Sequence, residues 1–204
     1  MSKEIKILFQ EIQRGNKEAL NTLFATYYPK LVAFAQQYVK QLELAEEISS
    51  ELFVKVWLKR HQLSNIHNPE VYLYVAIKNA CLNSIRADKK RSILSYAEDK
   101  ENLQPAGHAN SHLEDKELER LLDEAVGSLP EQRKIIFKLI KEDGLKATEV
   151  AEILGLSKRT VENQLYKAVR SLAETISNYL GYHPQSKPTR KQLSELSSIF
   201  LILQ

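Results

Sequence analysis

The sequence has little of what small secreted or membrane proteins depend on. Among 204 residues there is one cysteine, and glycine and proline are held to six each. A single thiol closes no disulfide within the chain. Cys81 lies in an apolar helical stretch and reads as a small buried hydrophobe in a reducing cytosol. A nucleophilic thiol would need a partnering base, and none is apparent. The shortage of Gly and Pro, with abundant Leu, Glu, Lys, Ala and Ile, favours an all-α protein. No apolar window approaches the length of a membrane span. Lys3, Glu4 and Lys6 precede any long apolar run, so no signal peptide is read there. The expectation is a cytoplasmic protein with no membrane insertion. No phosphate loop, nucleophile elbow or pocketed acid pair is found, which argues against an enzyme, a cofactor and a small-molecule substrate. His108 and His112 have a metal-like spacing but no Cys partners, so no metal is expected.

What is present is helical periodicity and an uneven charge. The net charge of +3 identifies no partner, so its distribution matters more. Residues 4–28 read as two short helices broken near Arg14-Gly15-Asn16, with Pro29 opening another. Residues 43–60 are amphipathic, with Ile48, Leu52 and Val56 inward and Phe53 and Trp57 beside them as further core. A helix from about 70 to 90 follows, with Leu73, Ile77, Ala80, Cys81 and Ile85 on its apolar side. Between 78 and 91 five basic residues face one acid, whereas 95–124 holds nine acids and three bases. The nearly apolar-free stretch 98–112 reads as an exposed linker. Helical pattern resumes near Leu113. Ser128-Leu-Pro-Glu131 has capping-box spacing with Pro130 in the first turn, and Gly144 supplies a stop.

The segment ATEVAEILGLSKRTVENQLYKAVRSL, 147–172, carries the sharpest signal. Val150, Ala151 and Leu154 recur at helical spacing, as do Val161, Leu165, Val169 and Leu172 beyond a break. Gly155 suits a helix C′ position and Ser157 a following N-cap. Two short helices across a tight Gly turn form a helix-turn-helix. The second helix has a polar face of Lys158, Arg159, Asn163, Lys167 and Arg170, residue types that suit phosphates and base edges in a major groove.

These segments resemble a known family. SLPEQRKIIFKLIKEDGLKATEVAEILGLSKRTVENQLYKAVRSL resembles the fourth conserved region of sigma-70 factors. LAEEISSELFVKVWLKR resembles the polymerase-docking helix of the second region, and VYLYVAIKNACLNSIRADKKR its promoter-melting helix. The short plan resembles an extracytoplasmic-function sigma factor over roughly residues 5–180. The resemblance implies two small helical domains: 1–94 for polymerase docking and the −10 element, and 113–182 as a helix-turn-helix for the −35 element. An acidic flexible linker, 95–112, joins them, and an amphipathic tail, 183–204, follows. It implies as partners core RNA polymerase, promoter DNA and an anti-sigma factor. Glu46, Glu47, Ser50 and Glu51 would meet polymerase. Tyr72, Tyr74, Asn79, Asn83, Arg86 and Lys90, with the loop preceding their helix, would capture the unpaired −10 strand, with one of the two tyrosines belonging to the core. Ser157 opens the helix that enters the major groove. Arg159 and Asn163 would read base edges, while Lys158, Thr160 and Lys167 hold phosphates. Glu162 would accept from a cytosine amino group or pair with a lysine. The competing reading is a helix-turn-helix regulator that binds operators without polymerase. In the tail, Leu193, Leu196, Ile199, Phe200 and Leu203 make a helical apolar stripe expected to pack on its own chain.

Overall fold

A computed structural model describes residues 2–94 and 113–179, and every regular element among these is helical. The 95–112 stretch with His108 and His112, and the 183–204 tail with its apolar stripe, lie outside the described residues. The chain divides into two compact units, one holding 1–98 and 152–155 and the other 99–151 and 156–204.

The first unit is built from α1 (Ser2–Gln13), α2 (Lys17–Ala35), α3 (Leu42–Leu58), a 3-10 helix (Arg60–Asn65) and α4 (Pro69–Leu94). The α1–α2 break falls where the sequence places it. Gly15 adopts φ 88°, and the Asn16 amide reaches back to the Glu11 carbonyl at 3.0 Å, a glycine-terminated helix end. The Asn16 side chain then caps α2, accepting from the Glu18 amide at 2.9 Å. Ile5, Phe9 and Ile12 of α1, Leu23 and Leu31 of α2, Ile48, Leu52 and Val56 of α3, and Leu73 and Ile77 of α4 are all buried. Cys81 is buried with them, and desolvation pushes its thiol up to about 11. The thiolate is thereby disfavoured, and the residue behaves as a hydrophobe.

Pro29 departs from expectation. It opens no new helix but lies inside α2, which continues to Ala35. The ring removes one amide donor and crowds the preceding turn. Buried Tyr27, Leu31, Val32, Phe34 and Ala35 flank it on the same helix. Their burial outweighs the local cost, because most helix stability in proteins comes from packing an apolar face.

A polar contact between α2 and α4 crosses this core. The Tyr27 hydroxyl donates to Glu70 Oε1 at 3.1 Å, and both residues are buried. Glu70 sits in the first turn of α4, where a carboxylate is favoured by the helix dipole. Tyr27→Phe removes this donor from a buried acceptor and is expected to lower stability by about 1–3 kcal/mol. Urea unfolding followed by circular dichroism measures it, and an unchanged midpoint would refute the contact's importance.

The second unit contains α5 (Leu113–Gly127), α6 (Glu131–Lys141), the first five residues of α7 (Ala147–Leu154) and α8 (Lys158–Tyr179). Helices α5 and α6 both pack on α8. Val126, Leu129, Phe137, Ala168 and Leu172 form one buried cluster, with Leu165 against it. The capping box expected at Ser128–Glu131 does not form. Pro130 is the residue preceding α6, with no side-chain cap, and the Ser128 hydroxyl donates to the Ala125 carbonyl at 2.7 Å. Serine satisfies an orphan carbonyl of the helix it ends, a local bond that competes with capping the helix it precedes.

Candidate nucleic-acid interface

The turn between α7 and α8 is set by two local devices. Gly155 takes φ 71°. Its amide bonds the Glu152 carbonyl at 3.3 Å, and the Leu156 amide bonds the Ala151 carbonyl at 2.9 Å. This pair of bonds is a Schellman motif, which closes a helix and turns the chain at once. Ser157 Oγ then accepts from the Thr160 amide at 3.0 Å and shares a 2.8 Å bond with Thr160 Oγ1. Both hydroxyls are therefore engaged in starting α8. At the other end of α7, the Glu149 carboxylate accepts from the Lys146 amide at 2.8 Å, half of a capping box.

The remaining candidate side chains project from α8. Lys158, Arg159, Glu162, Asn163 and Lys167 are exposed, whereas Val161, Ala168, Val169 and Leu172 on the opposite side are buried. Of the two roles open to Glu162, the structure displays the ion pair, 3.5 Å from Lys158. Arg159 and Asn163 stand one turn apart, both solvent-facing. Their row continues through Tyr166, 40% exposed, to Arg170, whose guanidinium is held by Glu174 at 2.8 Å. Tyr166 does not stand out in the sequence, because aromatic residues at helical spacing usually signal core. Its phase was the available signal: it falls three residues after Asn163 and four before Arg170, out of step with the buried stripe.

On α4 the two tyrosines separate. Tyr74 is fully buried and lies edge-on to Phe34 with centroids 5.1 Å apart, so it is the core member and offers no face to a base. Tyr72 is half-exposed and meets Phe9 edge-on at 6.3 Å. Asn79, Asn83 and Arg86 are exposed along the helix, and Arg86 donates to Asn83 Oδ1 at 3.2 Å. Lys90 belongs to α4, but its side chain lies outside the description.

On α3, Glu46, Glu47, Ser50 and Glu51 all face solvent. Glu51 is engaged by Lys55 at 2.6 Å. The same open side continues into Val54 and Leu58, 58% and 67% exposed. In the sequence the acids mark this face, whereas the apolar extension at three and seven residues beyond Glu51 carries no signal that sets it apart from core. Phe53 is buried, as expected for core, while Trp57 is half-open. No helix among the described residues is long and apolar enough to cross a membrane.

Two family models match this chain in order: sigma-70 region 2 over residues 23–91 and sigma-70 region 4 over 119–172. The chain is 26% identical to the ECF RNA polymerase sigma-E factor of Haemophilus influenzae over 171 residues, which cover 79% of this chain and 89% of that one. It is 23% identical to the Escherichia coli sigma-E factor, covering 80% and 89%. Among solved structures it resembles the sigma factor RpoE from Bartonella quintana, crystallised with the anti-sigma factor NepR. There the TM-score is 0.55 at 19% identity, over 77% of this chain and 96% of that one. It also resembles CnrH in complex with the cytosolic domain of CnrY, with a TM-score of 0.53 at 17% identity over 86% and 98%. These structural likenesses bear on the all-α, two-unit fold.

Proposed function

We propose a division of labour between the two units from one premise: the chain belongs to the sigma-70 family, as an alternative sigma factor of the extracytoplasmic-function type. The observation that carries the premise is the presence of both regions, in order and in one chain, with a helix-turn-helix in the second. The α3 acids dock on core RNA polymerase, the exposed α4 stripe of Asn79, Asn83 and Arg86 with Tyr72 holds the unpaired −10 strand, and α8 reads the −35 duplex. Residues 1–94 and 113–182 act as separate domains joined by 95–112. The work is binding and strand capture, with no reaction of the chain's own. An anti-sigma factor, such as accompanies the Bartonella quintana relative, would hold the chain inactive. Run-off transcription by core polymerase, with and without this chain, tests the function. A product that does not depend on the chain would refute it, and co-purification with core polymerase separates it from an operator-binding regulator.

The α8 face supports a split between base readers and phosphate holders. Arg159 and Asn163 are exposed a turn apart near the start of α8, where recognition helices contact bases. Arg159→Ala and Asn163→Ala are each expected to cost about 1–3 kcal/mol at one promoter position and to relax preference there. Lys167→Ala should weaken binding to every sequence and flatten the salt slope by about one unit. Titrations of promoter variants at several salt concentrations distinguish the two classes. Unchanged base preference in both Arg159→Ala and Asn163→Ala would remove the assignment.

A further inference from the structure

A cleft in the first unit is left unused by this division of labour. It holds about 300 Å³, at the small end of the range for ligand sites, roughly 300–1,000 Å³. One wall is α1, and the other is the 3-10 helix with the chain that leads into α4. Its floor is apolar. Phe9 and Leu63 are 3% and 4% exposed, and Pro69 is buried with them.

The rim is polar and of one kind. Lys6, Gln10 and Gln13 follow one another at four and three residues along α1, so they make one stripe along the cleft. Ser64 and His67 line the facing wall. All five side chains carry hydrogen-bond donors, and among the described residues none has a hydrogen-bond or ion-pair partner. No carboxylate of the described residues lines the cleft. Glu4 and Glu11 fall on the other side of α1 by helical phase, and Glu11 is engaged by Arg14 at 2.6 Å. Donors without acceptors, set around apolar ground, complement a molecule with a negative, acceptor-rich end and an apolar body. A bare inorganic anion would leave the floor unused, and a purely apolar molecule would leave the donors unmet. A carboxylate offers its oxygens to ammonium and amide N–H groups together.

We propose that this cleft binds a small cyclic or aromatic carboxylate, with its ring on Phe9, Leu63 and Pro69 and its carboxylate toward Lys6, Gln10 and Gln13. The site goes beyond the transcriptional role and does not depend on it, since binding needs neither polymerase nor promoter.

Saturation-transfer NMR on the full chain, with 4-hydroxybenzoate and cyclohexanecarboxylate as probes, reads the site. The few contacts of so small a molecule lead to an expected Kd on the order of 0.1–1 mM. The uncharged 4-hydroxybenzamide should bind about fivefold more weakly, the upper worth of an exposed ion pair, and inorganic phosphate should not displace either carboxylate. Lys6→Gln should weaken both probes by a similar factor. Gln13→Glu keeps the shape of the stripe but adds a like charge, and should weaken them roughly tenfold or more. No saturation by either carboxylate about tenfold above the expected range would overturn the inference. Parent-like affinity in both variants would overturn it too, because the probe would then sit elsewhere. Run-off transcription is read separately: its failure with the carboxylate still bound would refute the transcriptional role and leave the cleft standing.

Discussion

Reversing two charges on α3, Glu46→Lys with Glu47→Lys, is expected to lower affinity for core RNA polymerase roughly 30- to 4000-fold, equivalent to about 2–5 kcal/mol. Both carboxylates are solvent-exposed, and neither is tied to a cation of its own chain among the described residues, so both are open to a partner. The reversal removes two attractive groups and sets like charges against a surface suited to acids. Folding should hardly change, since exposed substitutions away from caps and cores fall within about 0.5 kcal/mol. Glu51→Gln should do less, because Lys55 already engages that carboxylate at 2.6 Å. Leu58→Asp should do more than its size suggests if the apolar continuation of this face is buried on docking, as desolvated central residues dominate interface energies. Titration of labelled core polymerase gives the affinities, and run-off transcription should fall in parallel. Parent-like affinity in the double reversal would remove α3 from the docking surface.

Features set by bonds within a few residues were legible in the sequence. The α7–α8 turn needs a residue tolerant of left-handed backbone and then a hydroxyl cap, and Gly155 and Ser157 are the residue types that supply them. The break at Gly15 is local in the same sense. Features set by distant contacts were less legible. Pro29 carries a strong local breaking signal, yet the buried residues of α2 on either side of it overrule that signal. A local feature can mislead as well: Ser128 and Glu131 have capping-box spacing, but the serine has another acceptor three residues back at Ala125 and takes it. Spacing names the pairs that can meet, while the competing acceptor decides which do.

The candidate surfaces divide along the same line. Arg159, Asn163 and Lys167 were legible because charge and amide on a helix whose opposite side is plainly apolar must face out. Tyr72 and Tyr74 could not be told apart, because α4 packs against α1, α2 and α3 and helical phase alone does not say which side each neighbour covers. Phe34 settles it by packing on Tyr74. Tyr166, Val54 and Leu58 were hidden for the opposite reason. They are hydrophobic or aromatic residues on outward faces, and residue type argued for burial while phase argued for exposure. A binding surface is where those two signals are most expected to disagree.

Leu172→Ala is expected to cost about 2–5 kcal/mol and to act on one unit only. Leu172 is 1% exposed and joins Val126, Leu129, Phe137 and Ala168 in the cluster that holds α8 against α5 and α6. A helical unit of this size has roughly 3–10 kcal/mol of stability in total at typical per-residue values. The truncation therefore removes much of what keeps α8 in place, and the melting transition of the second unit should fall on the order of 10–30 °C. Binding to −35 duplex should be lost well before any change in the first unit. Leu172→Met keeps most of the volume and should cost less than about 1.5 kcal/mol, restoring duplex binding. Core polymerase affinity measured on Leu172→Ala decides whether the units work separately. An affinity retained through the α3 acids while duplex binding is lost separates docking from −35 reading. A loss of both in proportion would mean that the first unit depends on the second to hold its own fold, and the division of labour would have to be abandoned.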